Sequence, residues 1–534
     1  MIGRGDAGAR FGASDPEAPV AETVREAALT VDLSTRPSDN EALALVPEAY
    51  AAANNLLPLE VRDGVLVLAC VDPSNTVVLN EVQVLSRHRV RALAAPRAEI
   101  HEAITQRYKV LPHVDEHVRA FVQRARPASG EGRADVREGR AALQAINEQS
   151  PVVNVVNIII AQGLRDRASD IHLEPQQDQL RVRFRIDGIL TDTLRLPKNM
   201  AQSLTSRLKV MANLDIVDRH RAQDGQIRFQ SDGRSVDIRV STTETIWGEK
   251  VVLRLLDQAR TVLSLDQLGL EDRGYGVLSQ LLRSPFGMVV VSGPTGSGKT
   301  TTLYAAIKQL DPISQNITTI EDPVEYTFKD INQIQISKVA NLTFANGLKA
   351  ILRQDPDVIL VGEIRDRETA EIAVQSALTG HLVLSSLHAT DAAGVIQRFI
   401  EMGMEGFLVS SALIGVVAQR LVRRICTYCR EPYEPSTDER RLWLEYGSHD
   451  KAIFFRGRGC THCAYTGFRS RIGVFEVLPI TESIKRLISA RASAQEIRDQ
   501  AVREQMRTLR ADAVNKVASD LTTLAEVIRC VWIN

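Results

Sequence analysis

Apolar residues along this chain follow helical, alternating and continuous patterns in turn, and each pattern predicts a different kind of element. Ala42–Asn54 has the period of a helix, Leu57–Val61 and Val65–Val71 read as strands around Asp63-Gly64, and Asn75–Ser86 reads as a helix. Val90–Ala94 adds a short strand and Glu99–Tyr108 a last helix. The result is a small α/β module, residues 41–123, with no Gly-rich loop and no catalytic cluster of polar residues, so docking is its expected role. Residues 1–40 lack a sustained period and are rich in Gly, Ala, Asp, Arg and Pro, which predicts a mobile arm.

The stretch Arg124–Arg140 (RARPASGEGRADVREGR) breaks the pattern with Pro, Gly and dense charge, so 124–145 is expected to be a linker. Ser150-Pro151 then opens a helix, Val152–Arg167, with proline in its first turn. The strands Ile171–Glu174, Leu180–Ile186, Gly188–Leu194, Gln226–Gln230, Arg234–Ser241 and Lys250–Leu255 follow, with a helix at Lys198–Asn213 among them. They predict a second α/β domain, residues 146–258, built on a mixed sheet with helices on one face.

Beyond it, in a last domain spanning 259–534, the strands read as continuous apolar runs, as strands buried on both faces should. Phe286–Ser292, Ile317–Ile320, Val358–Val361 and His381–Leu387 predict a doubly wound parallel core, with helices from Thr301 onward and over Arg367–Leu378, Ala392–Met402 and Gly406–Arg424. A cysteine-rich insertion at 426–463, a short strand Glu476–Leu478 and the helices Ile484–Arg491, Ala494–Glu504, Met506–Val517 and Leu521–Val531 complete it.

Chemistry enters after the first of these strands. Gly293-Pro294-Thr295-Gly296-Ser297-Gly298-Lys299-Thr300 is G-x-x-x-x-G-K-T between a buried strand and a helix, the context a phosphate loop requires. Its glycines let backbone N–H groups converge on phosphate oxygens at the positive end of the helix dipole. Lys299 is expected at the β- and γ-phosphates and the Thr300 hydroxyl on Mg²⁺, with Thr301 counted among the nucleotide-binding residues. The expected ligand is a nucleoside triphosphate.

Hydrolysis also needs carboxylates at the strand ends. ITTIED places Glu321 and Asp322 at the C-terminal end of one strand, and Glu325 follows in the same loop. VILVGE is an apolar strand ending in an acid, as a Walker B strand does, but Gly362 stands at the usual Asp position, so Glu363 is expected to act. How Glu321 and Glu363 divide the work stays open at this point. His381 opens an apolar strand and His388 closes it, and a histidine at a strand end beside a phosphate loop is placed to sense a γ-phosphate. Of six cysteines, Cys426, Cys429, Cys460 and Cys463 form two CxxC turns and predict a closed structural zinc site, while Cys70 and Cys530 read as core thiols and His462 as no ligand.

Together these motifs resemble the secretion ATPase superfamily, in particular the assembly ATPases of type II secretion systems and type IV pili. The resemblance runs from about residue 41 to the end: GPTGSGKT matches the family Walker A, ITTIEDPVEY the Asp box, VILVGEIRD the Walker B and TGHLVLSSLHATDA the His box. It implies a RecA-like ATPase core preceded by a PAS-like α/β domain, ATP hydrolysis by a homo-hexamer, and functional roles for His388 and His381. It also implies that Glu321 polarises the attacking water while Glu363 serves Mg²⁺ and hydrolysis. SDIHLEP and RFRIDG resemble the preceding domain, and VDIRVSTTETIWGEKVVLRLL resembles its stretch that supplies arginines to the nucleotide, here Arg239 and Arg254. The tetracysteine insertion is typical of the assembly ATPases. EMGMEGFLVSSALIGVVAQRLVRRIC resembles type II secretion more closely than pilus assembly. The N-terminal module resembles the region that binds the cytoplasmic domain of an inner-membrane platform protein. A repeated Leu-rich cyclic-di-GMP signature is not evident, so that ligand is not expected.

Composition narrows the classes. The formal net charge of −1 gives no electrostatic reason to expect nucleic acid, and no aromatic–basic groove is visible, which disfavours a DNA motor. No apolar run reaches the ~18 residues that span a bilayer, and no secretory signal is visible. Thiols paired as CxxC without such a signal suit a reducing compartment. The expectation is a cytoplasmic ATPase, peripheral to the inner membrane through a partner protein, that drives pseudopilus assembly; pilus extension is the alternative.

Overall fold

The computed structural model describes residues 31, 33, 36, 38–108, 114–125, 150–231, 234–256, 263–337, 339–447 and 451–531. Residues 1–30 of the expected arm, 126–145 of the expected linker and 146–149 at the start of the next domain lie outside them. The chain forms two compact units, Met1–Tyr108 and Lys109–Asn534.

In the first unit β1 (Leu56–Arg62) pairs antiparallel with β2 (Val65–Cys70), which pairs parallel with β3 (Arg89–Ala94). Leu56, Leu57, Leu59, Leu66 and Leu68 bury under the helices. The helix expected at Ala42–Asn54 is two helices, Asn40–Ala44 and Glu48–Ala53, because Pro47 between them has no N–H with which to continue the first.

In the second unit the strands β4 (Asp170–Pro175), β5 (Gln179–Ile186), β6 (Ile189–Pro197), β7 (Gln223–Ser231), β8 (Arg234–Thr245) and β9 (Gly248–Leu256) form a sheet in the order β6-β5-β4-β9-β8-β7. A mixed sheet was the expectation, but every pairing is antiparallel. Tight turns such as Asp187-Gly188 (φ 48° and 89°) join sequential strands and leave no length for a parallel crossover. In β5 Leu180, Val182, Phe184 and Ile186 enter the core beside helices Pro151–Arg165 and Ala201–Met211, while Arg181, Arg183 and Arg185 alternate onto the other, polar face. A helix not expected from the sequence, Val114–Ala125, lies mostly within the bounds given to the first module but packs on Pro151–Arg165 and buries Val114 and Phe121 in this core.

The larger sheet is doubly wound, in the order β12-β11-β13-β14-β10-β15-β18. It comprises β10 (Gly287–Ser292), β11 (Ile317–Glu321), β12 (Asn332–Gln335), β13 (Val358–Val361), β14 (Leu382–Leu387), β15 (Leu413–Ile425) and β18 (Phe468–Pro479). All its pairs are parallel except β15 with β18. Val289 and Val291 enter one core while Met288 and Val290 enter the other, which explains the unbroken apolar run.

The helix expected over Gly406–Arg424 is corrected: only Gly406–Ala412 is helical, and β15 follows it directly. The β-branched run Ile414, Val416, Val417 and Val422 fits a strand, and this one pairs on both edges. The expected short strand Glu476–Leu478 is the end of the longer β18. Two short strands, β16 (Arg430–Tyr433) and β17 (Phe454–Gly457), lie inside the cysteine-rich insertion.

Glu526 ties the last helix to β15. Its buried carboxylate accepts from Arg423 (2.8 Å), from Arg529 and from the Arg423 backbone N–H (3.1 Å). Burial alone would raise its pKa, but the Arg529 and Arg423 guanidiniums hold it at about 2, below the ordinary 4.5. A carboxyl depressed in the folded state stabilises the fold above its unfolded pKa and loses that contribution as pH falls through the folded value. Stability should therefore fall between about pH 4.5 and 2. In a Glu526→Gln protein, less stable at neutral pH, that part of the melting-temperature-against-pH curve should be flatter.

Candidate functional site

The loop Gly293–Gly298 leaves the buried end of β10 and enters helix Lys299–Ile307 through Gly298, whose φ of +88° only glycine adopts without strain. At Gly293 (φ +154°) a Cβ would sit 2.5 Å from the Gln419 carbonyl oxygen, so the loop also needs glycine for close approach to β15. Lys299 Nζ donates to the carbonyls of Gly293 (2.9 Å) and Pro294 (3.2 Å), closing the loop. Burial lowers the Lys299 pKa, and the Glu363 carboxylate opposes that shift. Thr300 and Thr301 are exposed on the first helical turn, Thr302 is buried, and the buried Ser297 hydroxyl has no hydrogen-bond partner. A glycine-rich loop at a helix start, with a lysine and two open hydroxyls, is built for phosphate.

Glu363 follows β13, with Arg365 paired to Oε1 and His388 Nε2 3.7 Å from Oε2. Glu363, His388 and Lys299 thus gather at the C-terminal edge of the parallel sheet, where such sheets bind ligands. Glu321 ends β11 at the same edge and is 3% exposed. Its carboxylate accepts from Tyr304 Oη, Thr319 Oγ1 (2.7 Å) and Gln333 Nε2 (3.2 Å). Asp322 is exposed in the turn that follows and adds to the field on Arg365.

His381 is not brought to this edge. It precedes β14, its carbonyl accepts from Gly287 N–H at the start of β10, and its Nδ1 lies 2.9 Å from the Ser376 carbonyl. The length of β14, roughly 20 Å at ~3.3 Å per residue, separates it from His388.

Arg239 and Arg254 are direct cross-strand neighbours on β8 and β9. They line an open cleft of about 440 Å³ with Asp224, Gly225, Gln226 and Ser241. Arg254 Nε donates to Asp170 Oδ1 (3.1 Å), and Arg239 Nη1 lies 3.9 Å from Glu325 Oε1.

Sequence reasoning missed two residues around the loop. Gln419 accepts from Thr302 Oγ1 (2.7 Å) and donates to the Ser297 carbonyl (2.5 Å), so β15 braces the loop from below. Reading that stretch as a helix hid it. Tyr304 carried no signal beyond being an aromatic inside a helix.

The four cysteines form a second centre. All are buried, and their sulfurs lie within 4.8 Å of one another. The separations Cys426–Cys460 (3.8 Å), Cys429–Cys463 (3.9 Å) and Cys460–Cys463 (3.7 Å) match the ~3.8 Å edge of a tetrahedron with ~2.3 Å Zn–S bonds. The N–H groups of Gly459 and Cys460 donate to Cys429 and Cys463 sulfurs (3.3 and 3.1 Å), as suits thiolates. His462 stacks on Tyr428 with ring centroids 4.0 Å apart. The residues fit zinc.

A profile of the type II/IV secretion system protein family matches residues 145–529, and an MshEN domain profile matches 25–113. The chain belongs to the type II/IV secretion ATPase family. The type IV pilus assembly ATPase PilB of Myxococcus xanthus is 39% identical over 510 residues, covering 93% of this chain and 88% of PilB. The type II secretion system protein E of Pseudomonas aeruginosa is 46% identical over 387 residues, covering 72% of this chain and 77% of that protein. The X-ray structure of the Legionella pneumophila ATPase DotB matches with a TM-score of 0.50 at 20% identity, over 70% of this chain and 94% of DotB, a likeness of fold. As a secretion ATPase the protein carries the RecA-like core, an ATP site and the Mg²⁺ requirement of its family. Among the described residues no helix is long and apolar enough to cross a membrane.

Proposed function

We propose that this secretion ATPase works as a homo-hexamer that powers pseudopilus assembly and protein export by a type II secretion system. The observation that carries the reading is the 46% identity to the Pseudomonas aeruginosa type II secretion protein over 72% of this chain. Pilus extension is the second reading, favoured by the longer span of the PilB match, 93% of this chain. The N-terminal module recruits the motor to the cytoplasmic side of the inner membrane through a platform protein.

In this reading residues 293–301 hold ATP, with Lys299 turning from its loop carbonyls to the β- and γ-phosphates. Mg²⁺ supplies charge neutralisation there, and the Thr300 hydroxyl and Glu363 carboxylate are the hard oxygen donors that would hold it, Glu363 through water. Glu321 polarises the attacking water. His388, beside Glu363, reads the presence of the γ-phosphate. Arg239 and Arg254 reach nucleotide held by a neighbouring subunit.

Deleting the gene in the source bacterium separates the two readings. Exoproteins should accumulate inside the cell while surface pili persist, and wild-type protein, but not Lys299→Ala, should restore export. Loss of pili with normal export would move the assignment to pilus extension.

A further inference from the structure

Tyr304 lies later in the same helix as Lys299 and is 1% exposed. Its hydroxyl donates to Glu321 Oε2 and accepts from the Glu325 N–H (3.2 Å). Its ring is held edge-on by Tyr326 (centroids 6.0 Å apart) and Phe328 (5.2 Å). Burial, reinforced by the Glu321 carboxylate, pushes the phenol pKa well above its ordinary value, so the hydroxyl stays a donor across the physiological range. Thr319 and Gln333 both donate to the other carboxylate oxygen, Oε1. A carboxylate has about four acceptor sites, so these donors leave room on Oε2 for one further partner, and the Tyr304 bond determines where that site points.

We propose that Tyr304 is a positioning residue for hydrolysis. It couples the helix that grips the phosphates to the carboxylate that faces the attacking water, so that nucleotide seated on the loop finds Glu321 already oriented. The same hydroxyl holds the Glu325 backbone N–H, so the phosphate-loop helix, the end of β11 and the loop after it meet at one phenol oxygen, and the Glu325 carboxylate lies 3.9 Å from Arg239 of the preceding sheet. The inference rests on the reading of Glu321 as the water-polarising residue. A buried tyrosine that merely fills space would need its ring but not its hydroxyl, and that difference is measurable.

Tyr304→Phe, Glu321→Gln and the double variant are compared in full-length protein by ATP turnover, by KM and by binding of a fluorescent non-hydrolysable ATP analogue. Tyr304→Phe should lower kcat ~10- to 100-fold, the effect of one hydrogen bond to a charged group, with KM and analogue affinity within about twofold of wild type. Glu321→Gln should lose more, and adding Tyr304→Phe to it should cost almost nothing further, because the hydroxyl acts through that carboxylate. Wild-type or raised kcat in Tyr304→Phe, or equal losses with and without Glu321, overturns the proposal while leaving the role of Glu321 intact. Full turnover in Glu321→Gln instead overturns the reading of Glu321, and the positioning role with it. Should Tyr304→Phe not fold, Thr319→Val, which removes a donor from the same carboxylate, must show the same kcat loss at constant KM; wild-type kcat there overturns the proposal.

Discussion

Cys460→Ser should release zinc and melt the cysteine-rich region well below the temperature at which the nucleotide core unfolds. Structural zinc contributes about 10–16 kcal/mol of apparent binding free energy in small peptides, and a sizeable part of that should appear here. The sulfurs already stand at tetrahedral separations, and all four cysteines are 8% exposed or less. Among the described residues the insertion's own regular structure is a two-stranded ribbon, the short helix Thr437–Tyr446 and a single turn at Thr461–Cys463, and Leu442, Trp443 and Phe454 anchor the helix and ribbon in the main core while the cysteine turns themselves meet at the metal centre. The damage should spread, because Cys426 N–H donates to the Gly467 carbonyl (3.0 Å) and Ile425 N–H to the Leu521 carbonyl (2.9 Å), linking the end of β15 and the first metal turn to the start of β18 and to the turn before the last helix. Metal analysis of the purified protein and a calorimetric melt check this. Wild type should carry one zinc per chain and Cys460→Ser none, with an early transition added. Wild type without zinc and a variant that melts identically would sink the idea.

Much of the architecture was legible because the local signals agree with the global fold. The phosphate loop, the acidic strand ends and the CxxC turns each occupy short stretches whose chemistry depends on nearest neighbours. Most of the failures share a cause: they concern relations between distant stretches. In β15 the burial of nearly every position from Leu413 to Ala418 removes the alternation that would have marked a strand, and only pairing with β10 and β18 settles its state. His381 sits in the same motif as His388, yet a parallel strand puts its two ends on opposite edges of the sheet. The strand's direction, known once the loop is placed after β10, already assigns His381 to the wrong edge. Pro47 was the opposite kind of miss, a local signal present in the sequence and not used. Tyr304 and Gln419 could be found only from coordinates, since what makes them matter is a partner at a distance in sequence, Glu321 for one and Ser297 with Thr302 for the other.

Arg239→Ala should cut ATP turnover by ~10³-fold or more, the scale on which an arginine supplied to a phosphoryl-transfer transition state acts, while nucleotide still binds through Lys299. Arg239 and Arg254 stand side by side on an open cleft, on the polar face of a sheet that contributes no phosphate loop. Two guanidiniums so placed suit a phosphate, because each donates bidentately and neither loses its charge. Their present partners are weak competitors: Glu325 lies at 3.9 Å, and the Arg254 side chain is 64% exposed despite its bond to Asp170. The Arg239–Glu325 separation is too long for a hydrogen bond, so Arg239 gives up little in turning to a triphosphate. Were the arginines only structural, their loss would lower the melting temperature slightly and leave kcat nearly unchanged. The decisive test mixes subunits. Arg239→Ala and Lys299→Ala proteins, each inactive alone, are combined under conditions that exchange protomers, and mixed assemblies are isolated with two different affinity tags. If the arginine serves a neighbouring subunit, some boundaries then join an intact loop to an intact arginine, and a fraction of wild-type turnover returns. If it acts on the loop of its own chain, every subunit carries a defect and the mixture stays as inactive as its parts.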